Sequence, residues 1–332
     1  MPSKNVCISL QKPVSRFDCQ CKILSDPVLD VLEAVDWSRF RFLERYKGRG
    51  RRNKYSRIGL LKALFYLELA RLDSVHELIR VLECYPYKMN ILGLEGVPSD
   101  CVFTRFKQDL GESLDRIMSI IIGMLRKLDT RLFKVLGIDS TKIPAYSKRD
   151  YGAGWGWDHM TGKYYKGYKA HILYDIRSLT PVSYTVTSAS VHDNTQVKPL
   201  LKKLGTGLLP LIGLLGDKGY DSKTNVESLI KVGTTMLNPR NKRNNKKPKK
   251  KYRLQDYCEA HGNKLNKIYK NRCDCESTNK LLKEHLGLRR TQTIGRKKTR
   301  IKIGLTLTAR QIQVLYLIKT GKTPRTTITN QL

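Results

Sequence analysis

A chain of 332 residues is long enough to form two domains, each with its own hydrophobic core. Its 63 Lys and Arg against 29 Asp and Glu give a formal net charge of +34, which attracts polyanions and makes a nucleic acid the expected partner. A membrane surface would attract the same charge, but the longest apolar run, residues 117–125, is too short to span a bilayer, and the first 18 residues lack the apolar core of a secretory signal. We therefore expect a soluble cytoplasmic protein with no membrane partner, associated with the nucleoid if it binds DNA.

The helical part of the chain comes first. Residues 1–27 are predicted to be irregular, and 28–130 repeat apolar residues at spacings of three and four, which predicts helices. A short helix is predicted to begin after Pro98 and Ser99 and to stop at Gly111. We interpret this region as an all-helical N-terminal domain for DNA binding or dimerisation.

The pattern changes to mixed α/β at residue 131. The segment LFKVLGID predicts a buried strand that ends at Asp139, and two alternating segments, 163–176 and 181–190, predict antiparallel partners. A helix, a second buried strand that ends at Asp217, a helix, a short strand and further helices follow. The order predicts a mixed sheet with helices on its faces over 131–320, with 321–332 as a C-terminal tail.

Two strongly basic segments flank the last predicted helices. Residues 238–253 contain nine basic and no acidic residues, and the chain from His285 to its end contains eleven Lys or Arg and no acid. Arg240 in the first segment and Arg289 and Arg290 in the second are candidate phosphate contacts. A solvated basic surface is the alternative.

The stretch 269–286 is predicted to be a helix with two different faces. At about 100° per residue, Tyr269, Arg272, Glu276 and Lys283 fall within an arc of about 60°, and the adjoining sector is apolar. Considered alone, this pattern fits an amphipathic surface helix with a solvated ion pair.

Three carboxylates are candidate metal ligands. Asp139 and Asp217 each follow an apolar strand, and Glu276 lies on a helix that would pack on the same sheet. Carboxylates that converge repel one another unless protons or cations lie between them. Hard oxygen ligands suit Mg²⁺ or Mn²⁺, and two such ions support phosphodiester chemistry. The alternative is that strand-end aspartates are ordinary turn formers.

The spacing Tyr269-x2-Arg272-x3-Glu276-x6-Lys283 matches the YREK signature of DDE transposases of bacterial and archaeal insertion sequences. Over about residues 40–318, further segments resemble parts of that family, namely GIDST, GDKGYDS, GYKAHILYD, VHDN, the C-terminal basic helix and the helical N-terminal region. Only 58 residues separate Asp217 from Glu276, too few for the β-rich insertion domain of some relatives.

The resemblance implies a ribonuclease H-like catalytic domain, a homodimer that joins two element ends, and cut-and-paste transposition on element and target DNA. It implies that Asp139, Asp217 and Glu276 hold two Mg²⁺ ions, for which Mn²⁺ can substitute. Arg272 and Lys283 would contact phosphates near the scissile bond, with intrahelical ion pairs as the alternative.

Two tyrosines are also candidate DNA contacts. For Tyr269 and Tyr220, phosphate contact and packing remain equally open. The alternatives for the protein as a whole are a non-catalytic DNA-binding protein derived from a transposase, or a metal-dependent nuclease of the same fold.

Other polar and aromatic residues have two interpretations each. His171 and the pair His192–Asp193 are either groups that support the metal ligands or structural residues. Trp155 and Trp157 are predicted to lie on a glycine-rich loop, where they either plug an apolar surface or hold an extruded base.

Eight cysteines include two Cys-x-Cys pairs, Cys19/Cys21 and Cys273/Cys275. We expect free thiols, as in a reducing compartment. Zinc is the alternative, but neither pair has the usual spacing, and on a helix Cys273 and Cys275 would point about 160° apart.

Overall fold

The structure is a computed structural model that describes residues 26–45, 53–111, 113–158, 160–204, 211–238, 269–288 and 291–325. Within these ranges no helix has the length and apolar character needed to cross a membrane.

Helices make up the region before the sheet, as the periodicity predicts. They are α1 (Pro27–Glu33), a 3-10 helix (Trp37–Leu43), α2 (Arg57–Leu69), α3 (Val75–Cys84), α4 (Pro86–Leu92), α5 (Asp100–Leu110) and α6 (Leu114–Leu128). Side-chain caps fix two of the starts, because the Ser56 hydroxyl accepts from Gly59 N at 3.0 Å and the Ser74 hydroxyl from Glu77 N at 3.2 Å. The predicted helix between Ser99 and Gly111 is confirmed as α5.

A mixed sheet follows. Its strands are β1 (Val135–Pro144), β2 (Gly154–Asp158), β3 (Lys163–Asp175), β4 (Thr180–Ser188), β5 (Gly213–Leu215) and β6 (Met236–Leu237). The antiparallel part consists of β3 with β1, β2 and β4, whereas β5 runs parallel to β1 and β6 parallel to β5. The path β4-β3-β1-β5-β6 has the ribonuclease H-like arrangement that the resemblance implies.

Helices flank this sheet. They are α7 (Val197–Leu204), α8 (Lys223–Ile230), α9 (Cys273–His285) and α10 (Arg296–Lys319). Helix α10 packs against β4 on one side and against α6 and α2 on others, and most of its residues are buried. One hydrophobic cluster therefore continues from the N-terminal helices into the sheet region. The domain boundaries given above stay predictions.

Two local predictions are wrong. Neither predicted strand ends at its aspartate, because β1 continues past Asp139 to Pro144 and β5 ends at Leu215, before Asp217. The glycine-rich segment with Trp155 and Trp157 is not a loop but strand β2, paired with β3. Its glycines serve close packing, since a Cβ at Gly156 would lie 2.9 Å from the Cβ of Ala189.

The helix predicted over residues 269–286 is shorter in the structure. Tyr269 and Lys270 are helical, Asn271 and Arg272 form a turn, and α9 begins at Cys273. Tyr269 is therefore not on the helix that carries Glu276.

Candidate active site

The parallel pairing of β1 and β5 places Asp139 beside Asp217. The last residues in register are Gly137 and Leu215, and each aspartate follows its own strand residue by two positions. Adjacent strands lie about 4.8 Å apart, so the paired strands bring the two residues near each other just beyond the end of β5, and the charge of Asp217 acts on Asp139. Because β5 ends at Leu215 while β1 continues, Asp139 lies where β1 no longer has β5 as a neighbour.

The environment of Asp139 is unfavourable for a negative charge. Its pKa is raised to about 6, first by burial and then by the charge of Asp217. Hydrogen bonds from Ser140 and Asn279 and the charge of Arg272 act in the opposite direction. This position therefore favours a proton or a cation next to the carboxylate.

Asp217 is fixed by the turn that follows it. It caps the 3-10 helix Lys218–Tyr220, and its Oδ1 accepts from Gly219 N at 2.8 Å. Gly216 leaves little room for a side chain, because a Cβ there would lie 3.2 Å from both Ile138 and Met236. Tight packing next to Asp217 thus limits its movement relative to β1.

Glu276 lies in the first turn of α9 and pairs with Arg272. The Glu276 Oε1 atom accepts from Arg272 Nη2 at 2.9 Å, and the Glu276 side chain is 60% exposed. An ion pair of Arg272 with a nearby acid is the alternative that the sequence left open, although Arg272 precedes the first residue of α9. Arg272 also lies near Asp139, since its charge lowers the pKa of that carboxyl.

Two residues that sequence reasoning missed connect α9 to Asp139. Asn279 Nδ2 donates to Asp139 Oδ2 at 2.7 Å, and the Tyr174 hydroxyl donates to Asn279 Oδ1. Asn279 follows Glu276 by three positions, so it lies on the same side of the helix. In the sequence, only this spacing from Glu276 could have indicated Asn279, because no neighbouring residue predicts its contact with Asp139.

The two candidate tyrosines both pack against the protein. Tyr220 is 1% exposed, and burial raises its pKa well above the ordinary value. Direct phosphate contact by Tyr220 is therefore wrong in this structure, and packing is its role. Tyr269 is half-buried against the cluster of Leu215 and Leu237, and its hydroxyl lies 3.4 Å from the Gly216 carbonyl oxygen.

A divalent ion fits the chemistry of this site in part. Asp139 and Asp217 offer hard oxygen donors, and their mutual repulsion would be relieved by a cation. Within the described ranges, however, no three His, Cys, Asp or Glu side chains are grouped closely enough to hold one ion. Each carboxylate has its own local partner, Asn279 for Asp139, Gly219 for Asp217 and Arg272 for Glu276. The part of Glu276 as a third ligand stays a prediction.

Comparisons with known families cover most of the chain. The family model described as Transposase DDE domain matches residues 132–312, which is more than half of the sequence. The chain belongs to the DDE transposase family. A second model, Transposase domain (DUF772), matches residues 16–109 of this family member.

Relatives agree with this assignment. The chain is 26% identical over 242 residues to the probable transposase for insertion sequence element ISH11 of Halobacterium salinarum, in each of two strains, covering 70% of this chain and 71% of the relative. The structural likeness to the Drosophila P element transposase strand transfer complex has a TM-score of 0.27 at 13% identity, covering 66% of this chain and 48% of the other. The Mos1 transposase paired-end complex with left transposon end gives 0.22 at 12% identity, over 96% and 91%.

The chain thus spans about half the length of the P element transposase. Because both TM-scores are below 0.5, the fold assignment depends on the sheet topology and the family match. The resemblance to DDE transposases is confirmed, while membership of the YREK branch stays a prediction.

On the other side of β1, a polar network in this family member involves some of the predicted histidine and aspartate residues. Asp193 accepts from Ser140 Oγ at 2.9 Å and from Lys169 Nζ at 3.0 Å. His171 is fully buried, its Nε2 lies 2.8 Å from Thr187 Oγ1, and burial lowers its pKa to about 4. His192 is exposed, so only Asp193 and His171 belong to this network.

The two tryptophans lie far from the carboxylates. Asp139 pairs with Ile172 and Trp157 with Tyr164, eight residues apart on β3, which is about 26 Å at about 3.3 Å per residue. Trp155 is 63% exposed, and Trp157 contacts Tyr164 edge to face at 4.9 Å between ring centroids. The choice between an apolar plug and a base contact stays open.

The remaining candidates divide between described and undescribed parts of the chain. Lys283 is half-buried on α9. Arg240, Arg289 and Arg290 lie outside the described residues, as do most of the basic segment 238–253 and the Cys19/Cys21 pair. Cys84, Cys101 and Cys273 are free, exposed thiols.

Proposed function

We propose that the chain is an active transposase that binds the terminal inverted repeats of its element and performs metal-dependent cleavage and strand transfer. The observation that carries this proposal is the register of β1 and β5, which places Asp139 beside Asp217 at a position that disfavours negative charge. Two carboxylates held together at a half-buried site have a destabilising interaction, and a binding site for a cation gives that arrangement a function.

In this proposal Asp139 and Asp217 would supply carboxylate oxygens to a site for two Mg²⁺ ions, for which Mn²⁺ can substitute. Glu276 would supply the third carboxylate once its ion pair with Arg272 has broken. When bound, such ions activate the attacking oxygen and stabilise the leaving oxygen of a phosphodiester. The protein supplies the fixed strand register and the burial. It also supplies Arg272, which lies near both Asp139 and Glu276.

DNA phosphates are the other proposed ligands of this face. Arg272 would exchange its contact with Glu276 for a phosphate, and Lys283 lies about two turns after Glu276 on α9. Tyr269 would contribute at the edge of the site, and Arg240, Arg289 and Arg290 would follow the backbone further away. These contacts position DNA without reading its sequence.

The number of chains in the proposed complex follows from the need to join two element ends. We propose a homodimer in the synaptic complex, with element ends and target DNA as partners and the nucleoid as the location. Sedimentation with paired-end DNA tests this point, and a species of one chain on paired ends would contradict it.

Cleavage of DNA that carries the terminal repeats, in Mg²⁺ or in EDTA, tests the function itself. We expect cleavage and joint donor–target products in Mg²⁺ and none in EDTA. Binding without cleavage in either condition would favour the non-catalytic DNA-binding protein. Cleavage without joint products would favour a nuclease of the same fold.

A further inference from the structure

Asn279 connects three parts of the fold through one amide group. Its Nδ2 donates to Asp139 Oδ2 on β1, and its Oδ1 accepts from the Tyr174 hydroxyl on β3. Asn279 is 7% exposed and Tyr174 is fully buried, so water does not compete readily for these contacts. The amide thus lies in a chain of hydrogen bonds from β3 through α9 to Asp139.

The chemistry of the three groups determines the direction of both hydrogen bonds. An ionised carboxylate only accepts, so the amide must present its NH2 group to Asp139. The amide oxygen then faces Tyr174, whose hydroxyl can donate to it. If the amide were rotated by 180°, its oxygen would face the carboxylate and the two would repel each other. The carboxylate of Asp139 therefore sets which way the amide faces, and the Tyr174 hydroxyl anchors the amide oxygen at its other end.

The same contact is one of those that place the N-terminal half of α9. Apolar contacts with the sheet come from the later part of the helix, where Leu281 and Leu282 are buried in the cluster that includes Tyr174. Glu276 and Ser277, in the earlier part, are exposed. Asn279 lies between these two parts. Its hydrogen bond to Asp139, the buried Thr278 and the ion pair of Asp274 with Arg325 at 3.0 Å together place the turn that carries Glu276.

We propose that Asn279 and Tyr174 are positioning residues, which hold one oxygen of Asp139 in the orientation that cation binding requires. This inference rests on the proposed function, in which Asp139 is a metal ligand. Groups that orient metal ligands in this way typically contribute 10–100-fold to metal affinity or activity.

The test compares Asn279→Ala, Tyr174→Phe and the double variant with Ser277→Ala, a control at an exposed position of the same helix. Two quantities are measured: the Mg²⁺ concentration for half-maximal cleavage of terminal-repeat DNA, and the affinity for Mn²⁺ alone, without DNA. We expect Asn279→Ala to weaken both by about tenfold or more. Tyr174→Phe should shift both in the same direction by less, and the double variant should be no worse than Asn279→Ala, because both residues act through one amide.

Binding of the same DNA in EDTA should not change in any variant, which separates positioning from general damage. If Asn279→Ala does not fold, as judged by thermal unfolding in EDTA, Tyr174→Phe decides, since it removes only a hydroxyl. Normal Mg²⁺ and Mn²⁺ dependence of Tyr174→Phe would then overturn the inference.

Asp139→Asn distinguishes this inference from the proposed function. If Asp139→Asn cleaves normally, the proposed function is wrong and the inference fails with it. If Asp139→Asn is inactive while Asn279→Ala behaves like Ser277→Ala, the function stands and the positioning role is wrong.

Discussion

Lys302 on α10 donates to both carboxylate oxygens of Glu68 on α2, at 2.7 and 2.8 Å. The Glu68 side chain is 2% exposed, and Thr306 Oγ1 donates to the same carboxylate at 2.8 Å. Helix α10 is thus fixed to the N-terminal helices by a charge pair whose carboxylate is buried and accepts three hydrogen bonds. Since α10 also packs against β4, this contact connects the helical region to the sheet that carries the candidate site.

Replacement of Glu68 by Ala should therefore destabilise the protein strongly. The change leaves the Lys302 ammonium largely buried without its partner, which typically costs about 3–5 kcal/mol in the free energy of unfolding. Glu227→Ala is a matched control, because Glu227 forms an exposed helical pair with Lys223 and should change stability by about 0–1 kcal/mol. Urea unfolding of both variants measures the difference. Equal small losses would show that the buried pair is not a major contact.

His171 should make stability depend on pH. Burial lowers its pKa to about 4, below the value of about 6.5 for an unfolded chain, so the folded state holds fewer protons between these values. Its contribution is present above about pH 6.5 and is lost as the pH falls towards 4, at up to about 1.4 kcal/mol per pH unit. Urea unfolding at pH 7.5 and pH 5 should show a smaller difference for His171→Gln than for the unchanged protein. Identical differences would exclude His171 as the cause.

The sequence predicts features that depend on neighbouring residues. Helix α5 spans Asp100–Leu110, between Ser99 and Gly111 as predicted, although the Ser99 side chain makes no capping hydrogen bond and Gly111 keeps helical dihedral angles. The ends of β1 and β5 were less predictable, because pairing with other strands sets them. The segment of β2 was predicted to be a loop because glycines occur both in flexible segments and where two parts of the chain pack closely. Only the fold shows that Ala189 lies against Gly156.

The candidate site likewise combines features that the sequence predicts with contacts that only the fold shows. The aspartates follow apolar segments that the sequence identifies, and the family resemblance implies their role. By contrast, the hydrogen bond from Asn279 to Asp139 joins residues 140 positions apart. No periodicity or motif encodes such a contact, so it emerges only when α9 has been placed on the sheet.

Trp155 and Trp157 allow a direct optical test of their role, because the chain has only one other tryptophan, Trp37. In a Trp37→Phe background, a base that stacks on either ring should quench the fluorescence when terminal-repeat DNA binds. Removal of one stacking contact typically costs about 1–3 kcal/mol in binding, so Trp155→Ala and Trp157→Ala should each weaken binding measurably. Unchanged fluorescence and affinity would favour the apolar plug.

Glu276→Gln separates catalysis from the ion pair with Arg272. The pair is partly exposed, so its loss should change the free energy of unfolding by only about 0–1 kcal/mol. If Glu276 is a metal ligand, cleavage should fall by orders of magnitude, while DNA binding holds or improves because a negative charge near phosphates is removed. Arg272→Ala and Lys283→Ala should instead weaken binding across DNA sequences and reduce the salt slope by about one unit each. Cleavage rates and affinities for the three variants across a salt series measure these effects, and near-normal cleavage by Glu276→Gln would make Glu276 a surface residue whose partner is Arg272 alone.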